Sequence, residues 1–198
     1  MLKVNPMDKW RIWLGGFCGI VSPILTLIMV IASTIISPWF SWDTHALSQL
    51  GEGEVSLLFN SAVIVGGTLN LLFTFGIREY LPKEKLAKTG VTLIILGNIC
   101  LVLVGIFTVS YPIMHGIVAL GEFTLGPIGI ILLGLSSKEN RIKKISITTG
   151  TAALISILIL PAVLLALPIK VGFAVPEIIE ALIVSAWIIY MGNKMLSC

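Results

Sequence analysis

The chain has 198 residues, of which 57% are apolar and only 12% are charged, and its mean hydropathy is +1.04. Soluble domains carry about 25% charged residues, so this composition excludes a soluble globular protein. The formal net charge of +3 is small. We attribute it to loops that orient the chain in a membrane, and we predict no nucleic-acid partner.

Six apolar stretches alternate with short polar breaks, and each is close to the length of about 20 residues that a helix needs to cross a bilayer. The stretches cover residues 12–37, 55–77, 90–110, 114–135, 145–167 and 176–191. They leave only short connections between them. The sequence therefore predicts an all-α polytopic membrane protein in which residues 1–198 form a single domain of six transmembrane helices.

Alternation of these helices places twelve of the thirteen Lys and Arg residues on one side of the membrane, including Lys3, Lys83 and Lys194. Only Lys170 falls on the other side. Short loops rich in basic residues stay in the cytoplasm. We therefore predict a multi-pass protein of the cell membrane with both termini cytoplasmic.

The first outer loop, residues 37–54, is the longest connection. Asp43 is a candidate helix cap, Gly51 is a candidate stop, and Ala46, Leu47 and Leu50 share one helical face. This pattern predicts a short helix at the outer membrane interface. The second outer connection, residues 110–113, is predicted to be a very tight turn.

Small residues indicate which helix faces pack, because close backbone approach stabilises helix pairs in lipid. Gly15 and Gly19 mark such a face on the first helix, and Gly90, Gly97 and Gly105 mark one on the third. Prolines are expected to interrupt or kink the first, fourth and fifth helices, at Pro23, Pro127 and Pro161.

The fourth helix carries a continuous small or polar stripe, made of His115, Ala119, Glu122, Gly126 and Gly129. Glu122 lies roughly 10–15 Å inside the membrane from the outer end of this helix. An ionisable side chain at that depth needs a partner, a proton or a water-filled cavity. We predict an outward-opening cleft in which His115 and Glu122 bind ligand or transfer protons. The alternative is a neutral Glu122 that is hydrogen-bonded to Asn98, Asn60 or a helix backbone.

The string His45-Ala-Leu-Ser-Gln-Leu-Gly-Glu52 shares an H-x4-L-G-E pattern with His115-Gly-Ile-Val-Ala-Leu-Gly-Glu122. Two explanations stay open: duplication of a helical hairpin, or coincidence. His45 joins His115 and Glu122 as a tentative catalytic residue, acting as a lid over the cleft.

Further polar residues are candidates for binding a ligand. Asn60 and Asn98 lie inside helices, and Glu180 lies one turn deeper than Glu177 at the start of the sixth helix. The position of Glu177 is explained by the positive end of that helix. Two His and two Glu could in principle hold a metal, but their spacing matches no metal signature, so we predict neither a metal nor a cofactor.

Three segments resemble the small six-helix membrane proteins of the DUF998 family. They are Pro38-Trp-Phe-Ser-Trp with Ala46-Leu-Ser-Gln-Leu-Gly51, Leu58-Phe-Asn60 with Gly66-Gly67, and Val104-Gly-Ile-Phe107 with Pro112 and His115. The resemblance implies a six-helix fold in a membrane and marks Ser48, Asn60 and His115 as site candidates. The chain departs from the family pattern at Gln49, where an acidic residue is common, and at Glu122-Phe123, where paired Phe is usual.

The first functional interpretation is a cleft that binds a lipid or small amphiphile, with membrane lipids as the expected partners. Two alternatives use the same residues. One is a membrane-embedded enzyme that acts on lipid head groups at the outer leaflet, and the other is a proton-coupled transporter. The transporter is less favoured because the inner halves of the helices lack an ionisable residue to continue a path. A purely structural or partner-binding role is a further alternative.

Overall fold

The computed structural model describes residues 6–81, 84–167 and 170–197, and in these ranges every regular element is helical. The prediction of an all-α protein is therefore confirmed. Lys3 and Lys83, which contributed to the predicted orientation, lie outside the described residues.

In these ranges seven α-helices follow one another: α1 Pro6–Ile35, α2 Ser56–Tyr80, α3 Lys85–Val104, α4 Pro112–Ser136, α5 Asn140–Leu158, α6 Leu160–Ala166 and α7 Ala174–Leu196. Five of them, α1, α2, α3, α4 and α7, are long and apolar enough to cross a membrane. The short helix α6 follows α5 after a bend of 40°, and together they count as a sixth span if the bent pair is one.

The predicted prolines behave differently. The break between α5 and α6 falls at Ile159, and Pro161 lies in the first turn of α6, where its missing N–H is tolerated. Pro23 and Pro127 lie inside α1 and α4, and both helices continue through them. The expected interruption is therefore found only in the fifth span.

The connection between α3 and α4 is longer than the predicted tight turn. Helix α3 ends at Val104, and the seven residues 105–111 precede α4. Gly105 lies directly against α2, since a Cβ atom there would come within 2.9 Å of the Asn60 carbonyl oxygen. Gly105 is the first residue after α3, so the connection begins in close contact with α2. Pro112 then begins α4, at a position where Pro is favoured.

The helices pack in the cyclic order α1, α2, α3, α4, α5, α7 and back to α1. Successive helices run in opposite directions, so the ring has two distinct ends. We call the end that contains the first loop and the α3–α4 connection the loop end, and the opposite one the basic end. At the basic end Arg11 pairs with Glu79, Lys138 with Glu84, and Lys194 with Glu139.

Glycines allow the helices to approach closely, as predicted from their spacing. A Cβ atom at Gly15 would come within 2.7 Å of the Cα atom of Gly76, which joins α1 to α2. One at Gly90 would come within 2.8 Å of the Gly129 carbonyl oxygen, which joins α3 to α4. These contacts are between backbones, so no larger side chain fits.

The first loop forms a 3-10 helix at Leu47–Gly51, followed by another at Gly53–Val55. The predicted helix is therefore shorter and begins later than a cap at Asp43 implied. Leu50 is fully buried, and it packs with Phe59 and Val63 of α2 in an apolar cluster. The short helix is therefore packed against the bundle, and its position at the outer interface stays a prediction.

The side-chain amide of Gln49 caps this turn. Its side-chain oxygen accepts a hydrogen bond from the Ala46 N–H at 2.9 Å, and its own N–H donates to the Ala46 carbonyl oxygen. A neutral amide therefore supplies the acceptor, because capping the turn needs only an oxygen.

Candidate functional site

A cavity of about 170 Å³ lies inside the helix ring, on the side of the loop end. Its wall is built by α1, α2, α3, α4, α7 and the first 3-10 helix. Three- and four-residue steps along α4 place His115, Ala119, Glu122 and Gly126 on this wall. The stripe predicted on the fourth helix therefore faces the cavity as far as Gly126, and Gly129 packs against α3.

Three carboxyl groups line this one cavity: Glu122 from α4, and Glu177 and Glu180 from α7. Glu177 and Glu180 are buried, and Glu122 interacts electrostatically with both. No Lys or Arg stands among the described residues of the wall. Of the ionisable groups on the described wall, three are therefore carboxyl groups and the fourth is His115.

Glu122 and Glu180 accept no hydrogen bond from the part of the chain that is described, although Glu180 is only 3% exposed. The predicted alternative, a Glu122 hydrogen-bonded to Asn98 or Asn60, is not seen. On α2, the buried Oδ1 of Asn70, which lines the same cavity, also has no partner among the described residues. Unsatisfied polar atoms in an apolar interior are costly, so these groups favour a polar partner inside the cavity.

Glu177 has a partner on the first loop. Its Oε2 accepts a hydrogen bond from the Leu47 N–H at 2.5 Å. Two backbone bonds reinforce the contact: Gly172 N–H donates to the Trp42 carbonyl oxygen, and Ala174 N–H donates to that of His45. Together these bonds clasp the first loop to the start of α7, and Leu47 and Ser48 of this loop line the cavity.

His115 is held in one orientation by the α3–α4 connection. Its Nδ1 lies 2.8 Å from the Phe107 carbonyl oxygen. A carbonyl only accepts, so Nδ1 carries the hydrogen and donates it. Nε2 is left without a partner among the described residues, on a side chain that lines the cavity. In the neutral ring this nitrogen is a proton acceptor.

His45 was predicted to act as a lid over the cleft, but it is not among the described residues that line the cavity. Its Nδ1 accepts a hydrogen bond from the Ser41 N–H at 3.1 Å, and its ring stacks on Phe40 and meets the edge of Trp39. These contacts organise the first loop. A catalytic role for His45 stays a prediction.

The four predicted ligand-binding residues divide into two groups. Ser48, Asn98 and Glu180 line the cavity. Asn98 donates through its side chain to the Thr74 hydroxyl at 3.1 Å, which ties α3 to α2. Asn60 lies outside the wall and donates to the Gly51 carbonyl oxygen at 3.0 Å, so its contact is with the end of the 3-10 helix.

A groove of about 340 Å³ lies beside the cavity, between α4, the end of α5 and the start of α7. Five residues line both spaces: Ser48, His115, Ala119, Phe123 and Glu177. The groove reaches the outer surface of the ring, since Leu120, Leu158 and Phe173 in its wall are 60%, 54% and 44% exposed. Helix α6 bends away at this point, and none of its residues lines the groove.

The end of the cavity away from the loops carries two aromatic rings. Phe73 and Trp187 meet edge to face there, with ring centroids 6.0 Å apart, and Ile130 and Ile188 complete this floor. The Trp187 indole N–H donates to the Ser146 hydroxyl at 2.8 Å, so the ring is fixed in place. A Cβ atom added at Gly126 would meet nothing within 4 Å, which shows that this stretch of wall faces empty space.

The wall also contains residues outside the predicted site, among them Glu177, Asn70 and Trp187. The sequence pattern attributes Glu177 to the positive end of its helix. Trp187 lies only four residues before the end of the predicted span 176–191, close to the boundary where Trp is enriched, so its position gave no signal for a site.

The two copies of the H-x4-L-G-E pattern adopt different structures. The second copy is helical and directs His115 and Glu122 to the cavity. The first forms a loop and a 3-10 helix, and its Glu52 accepts hydrogen bonds from Ser110 in the α3–α4 connection. In the described ranges, no three His, Cys, Asp or Glu side chains form a set that could hold a metal ion.

Comparison with known proteins gives one match. The model of a family described as a protein of unknown function (DUF998) matches residues 20–193, a range that contains every described residue lining the cavity and the groove. No curated protein and no solved structure matches the chain. The match covers most of the sequence and agrees with the resemblance found in its loops and helices, so the chain is a membrane protein that belongs to the DUF998 family.

Proposed function

We propose that this protein binds a lipid or another small amphiphile in the cavity, and that the ligand enters from the side through the groove. One observation carries the proposal: a cavity with a carboxyl-lined end and an apolar floor lies beside a groove that opens on the outer surface of the helix ring. In a membrane protein this outer surface faces acyl chains, so the groove offers a path for molecules that are dissolved in the bilayer.

The distribution of polarity in the cavity matches the two ends of an amphiphile. Glu122, Glu177 and Glu180 lie toward the loop end, whereas Phe73 and Trp187 form the opposite end. A head group would contact the carboxyl groups, and an acyl chain would extend toward the two rings. Burying apolar chain surface contributes about 25 cal/mol per Å².

The orientation of the chain sets the leaflet from which the ligand comes. Ten of the eleven Lys and Arg residues that the structure describes belong to the side of the basic end, and such residues are held in the cytoplasm. The loop end then faces the outside of the cell membrane. The ligand would therefore be taken from the outer leaflet.

Individual residues have distinct roles in this proposal. Glu122 and Glu180 contact the head group, and His115 offers Nε2 as an acceptor. Ser48 and Asn98 line the same space. The first loop, which is organised by His45 and clasped by Glu177, covers the cavity at its outer end.

The proposal is tested by filling the cavity. Gly126→Leu places a side chain in the empty space beside the wall, and Gly116→Leu on the exposed face of the same helix is the matched control. Each protein is purified from membranes and its retained amphiphiles are measured by native mass spectrometry. We expect a ligand on the wild type and on Gly116→Leu, and its loss from Gly126→Leu. Equal retention by all three proteins would contradict the proposal.

A reaction on the head group is a second candidate, favoured by the fixed orientation of His115. Because Nδ1 donates to Phe107, Nε2 is positioned as a proton acceptor on the cavity wall. His115→Gln would then abolish turnover while the ligand is still bound. Lipid profiles of cells that overproduce the wild type or His115→Gln test this candidate, and identical profiles would exclude it.

A further inference from the structure

We infer that the head group of the ligand is cationic, and that it is a primary ammonium group carried on an apolar chain. This inference rests on the proposed function and names the chemical class of ligand for the same cavity. The residues that hold the ammonium group are Glu122 and Glu180, from two helices that are not neighbours in the ring order.

The charge of the wall gives the first reason. Three carboxyl groups face the cavity, and within the described ranges no Lys or Arg shares it with them. The nearest basic residue along α7, Lys194, lies at the other end of that helix and pairs with Glu139. An anionic head group would meet repulsion from every ionisable carboxyl group of the wall, whereas an ammonium group would be attracted.

Missing hydrogen bonds give a second and independent reason. Glu180 is only 3% exposed, yet no described residue donates a hydrogen bond to it. The buried Oδ1 of Asn70 is also without a partner in the described ranges. The Glu180 carboxylate oxygens and the Asn70 Oδ1 atom are hydrogen-bond acceptors. A primary ammonium group has three N–H donors, which is the chemistry that this part of the wall lacks.

The shape of the cavity gives the third reason. A small inorganic cation would occupy only the carboxyl-lined end, and the described residues offer no set of three ligands for a metal. The floor around Phe73, Ile130 and Trp187 would then stay empty. A cation with an attached apolar chain fills both parts, and it has a side entrance in the groove.

The inference is tested by comparing ligands that share one chain and differ in the head. Wild-type protein in zwitterionic nanodiscs is titrated with radiolabelled dodecylammonium, dodecyltrimethylammonium, dodecanol and dodecanoate. Binding to Gly126→Leu nanodiscs is subtracted from each curve to remove partition into the bilayer. We expect dodecylammonium to bind about 10-fold or more tightly than dodecanol, since a charge-assisted hydrogen bond contributes on that scale. Dodecanoate should bind most weakly.

Charge-removing variants identify the residues. Glu122→Gln and Glu180→Gln keep the size of the side chain, and each should reduce the preference for dodecylammonium over dodecanol by about 10-fold. Glu54→Gln is the matched control, because Glu54 is an exposed carboxyl group at the same end of the protein. It should leave the preference unchanged.

The possible outcomes separate this inference from the proposed function. If dodecanol binds to the wild type but not to Gly126→Leu, and dodecylammonium has no advantage, the cavity binds amphiphiles and the cationic head is wrong. If no probe distinguishes the wild type from Gly126→Leu, both are wrong. A preference that survives in both Gln variants would also overturn the assignment of Glu122 and Glu180.

A second arm identifies the source of the ammonium group. Nanodiscs are prepared with either phosphatidylethanolamine or phosphatidylglycerol, and the lipid retained by the released protein is measured by native mass spectrometry. Retention of phosphatidylethanolamine alone would indicate a membrane lipid. Retention of neither, together with binding of dodecylammonium, would indicate a single-chain amine. Retention of phosphatidylglycerol alone would contradict a cationic head.

Discussion

The two halves of the helix ring differ in how their interior is filled. In the half at the basic end, Gly15 and Gly76 bring two backbones into contact, and Ile77, Leu133 and Met191 are fully buried in one apolar cluster. In the half at the loop end the helices surround a cavity, and ionisable groups face it. The packed half holds the helices together, which allows the other half to keep polar groups that have no partner.

The largest difference between the halves should appear when the same substitution is made in each. A Cβ atom at Gly76 would come within 2.8 Å of the Arg11 carbonyl oxygen and of the Gly15 Cα atom, so Gly76→Leu must push α1 and α2 apart. We expect a loss of about 1–3 kcal/mol or more in the free energy of unfolding. Gly126→Leu, in the open half, should unfold as the wild type does. Thermal unfolding followed by size-exclusion chromatography compares them, and equal loss in both variants would contradict the division into two halves.

A second test examines how the floor of the cavity is supported. Ser146→Ala removes the acceptor of the Trp187 indole N–H and leaves this buried donor without a partner, which should cost about 1–3 kcal/mol. Ser156→Ala is the matched control on the same helix, because the Ser156 hydroxyl donates only to the Ala153 carbonyl oxygen of its own helix. If the two variants have the same stability, the hydrogen bond does not fix the ring.

A third test releases the loop end without disturbing the packed half. Glu177→Ala removes the acceptor of the Leu47 N–H and should weaken the clasp between the first loop and α7 by about 1–2 kcal/mol. Hydrogen exchange should then become faster in residues 41–51 and remain unchanged in residues 70–77. Glu54→Ala is the control. Faster exchange in both segments would mean that Glu177 supports the whole ring.

The smallest expected effect concerns pH. Hydrogen bonds from the hydroxyl groups of Thr108 and Ser110 hold the pKa of the exposed Glu52 carboxyl below its ordinary value. A carboxyl group whose folded-state pKa is lowered stabilises the fold above its unfolded pKa, and this contribution is lost as the pH falls through the folded value. The melting temperature of the wild type should therefore exceed that of Glu52→Gln slightly at pH 7, and the difference should vanish in acid. A difference that is independent of pH would contradict this contact.

Local patterns in the sequence were enough to predict much of the fold and part of the site. The apolar stretches indicated the spans, the glycine spacing indicated the close contacts, and the steps between His115, Ala119 and Glu122 placed these residues on one face. Such features repeat with the helical period and involve only neighbouring turns.

Features that depend on distant segments were not predictable in the same way. The partner of Glu177, the Leu47 N–H, lies 130 positions earlier in the chain, so Glu177 looked like a simple helix-start residue. The groove depends on the ring order and on the bend between α5 and α6. Pro161 predicted an interruption in this span, but nothing in the sequence indicated which helices the bend would separate.

The most direct test of the cavity as a binding site is the density inside it in an experimental structure of the wild-type protein in nanodiscs of native membrane lipids. We expect elongated density that enters between α4 and the end of α5, with its polar end at Glu122 and Glu180 and its chain against Phe73 and Trp187. A cavity that holds only separate water-sized peaks, or that has collapsed so that α4 packs on α7, would contradict a site for amphiphiles.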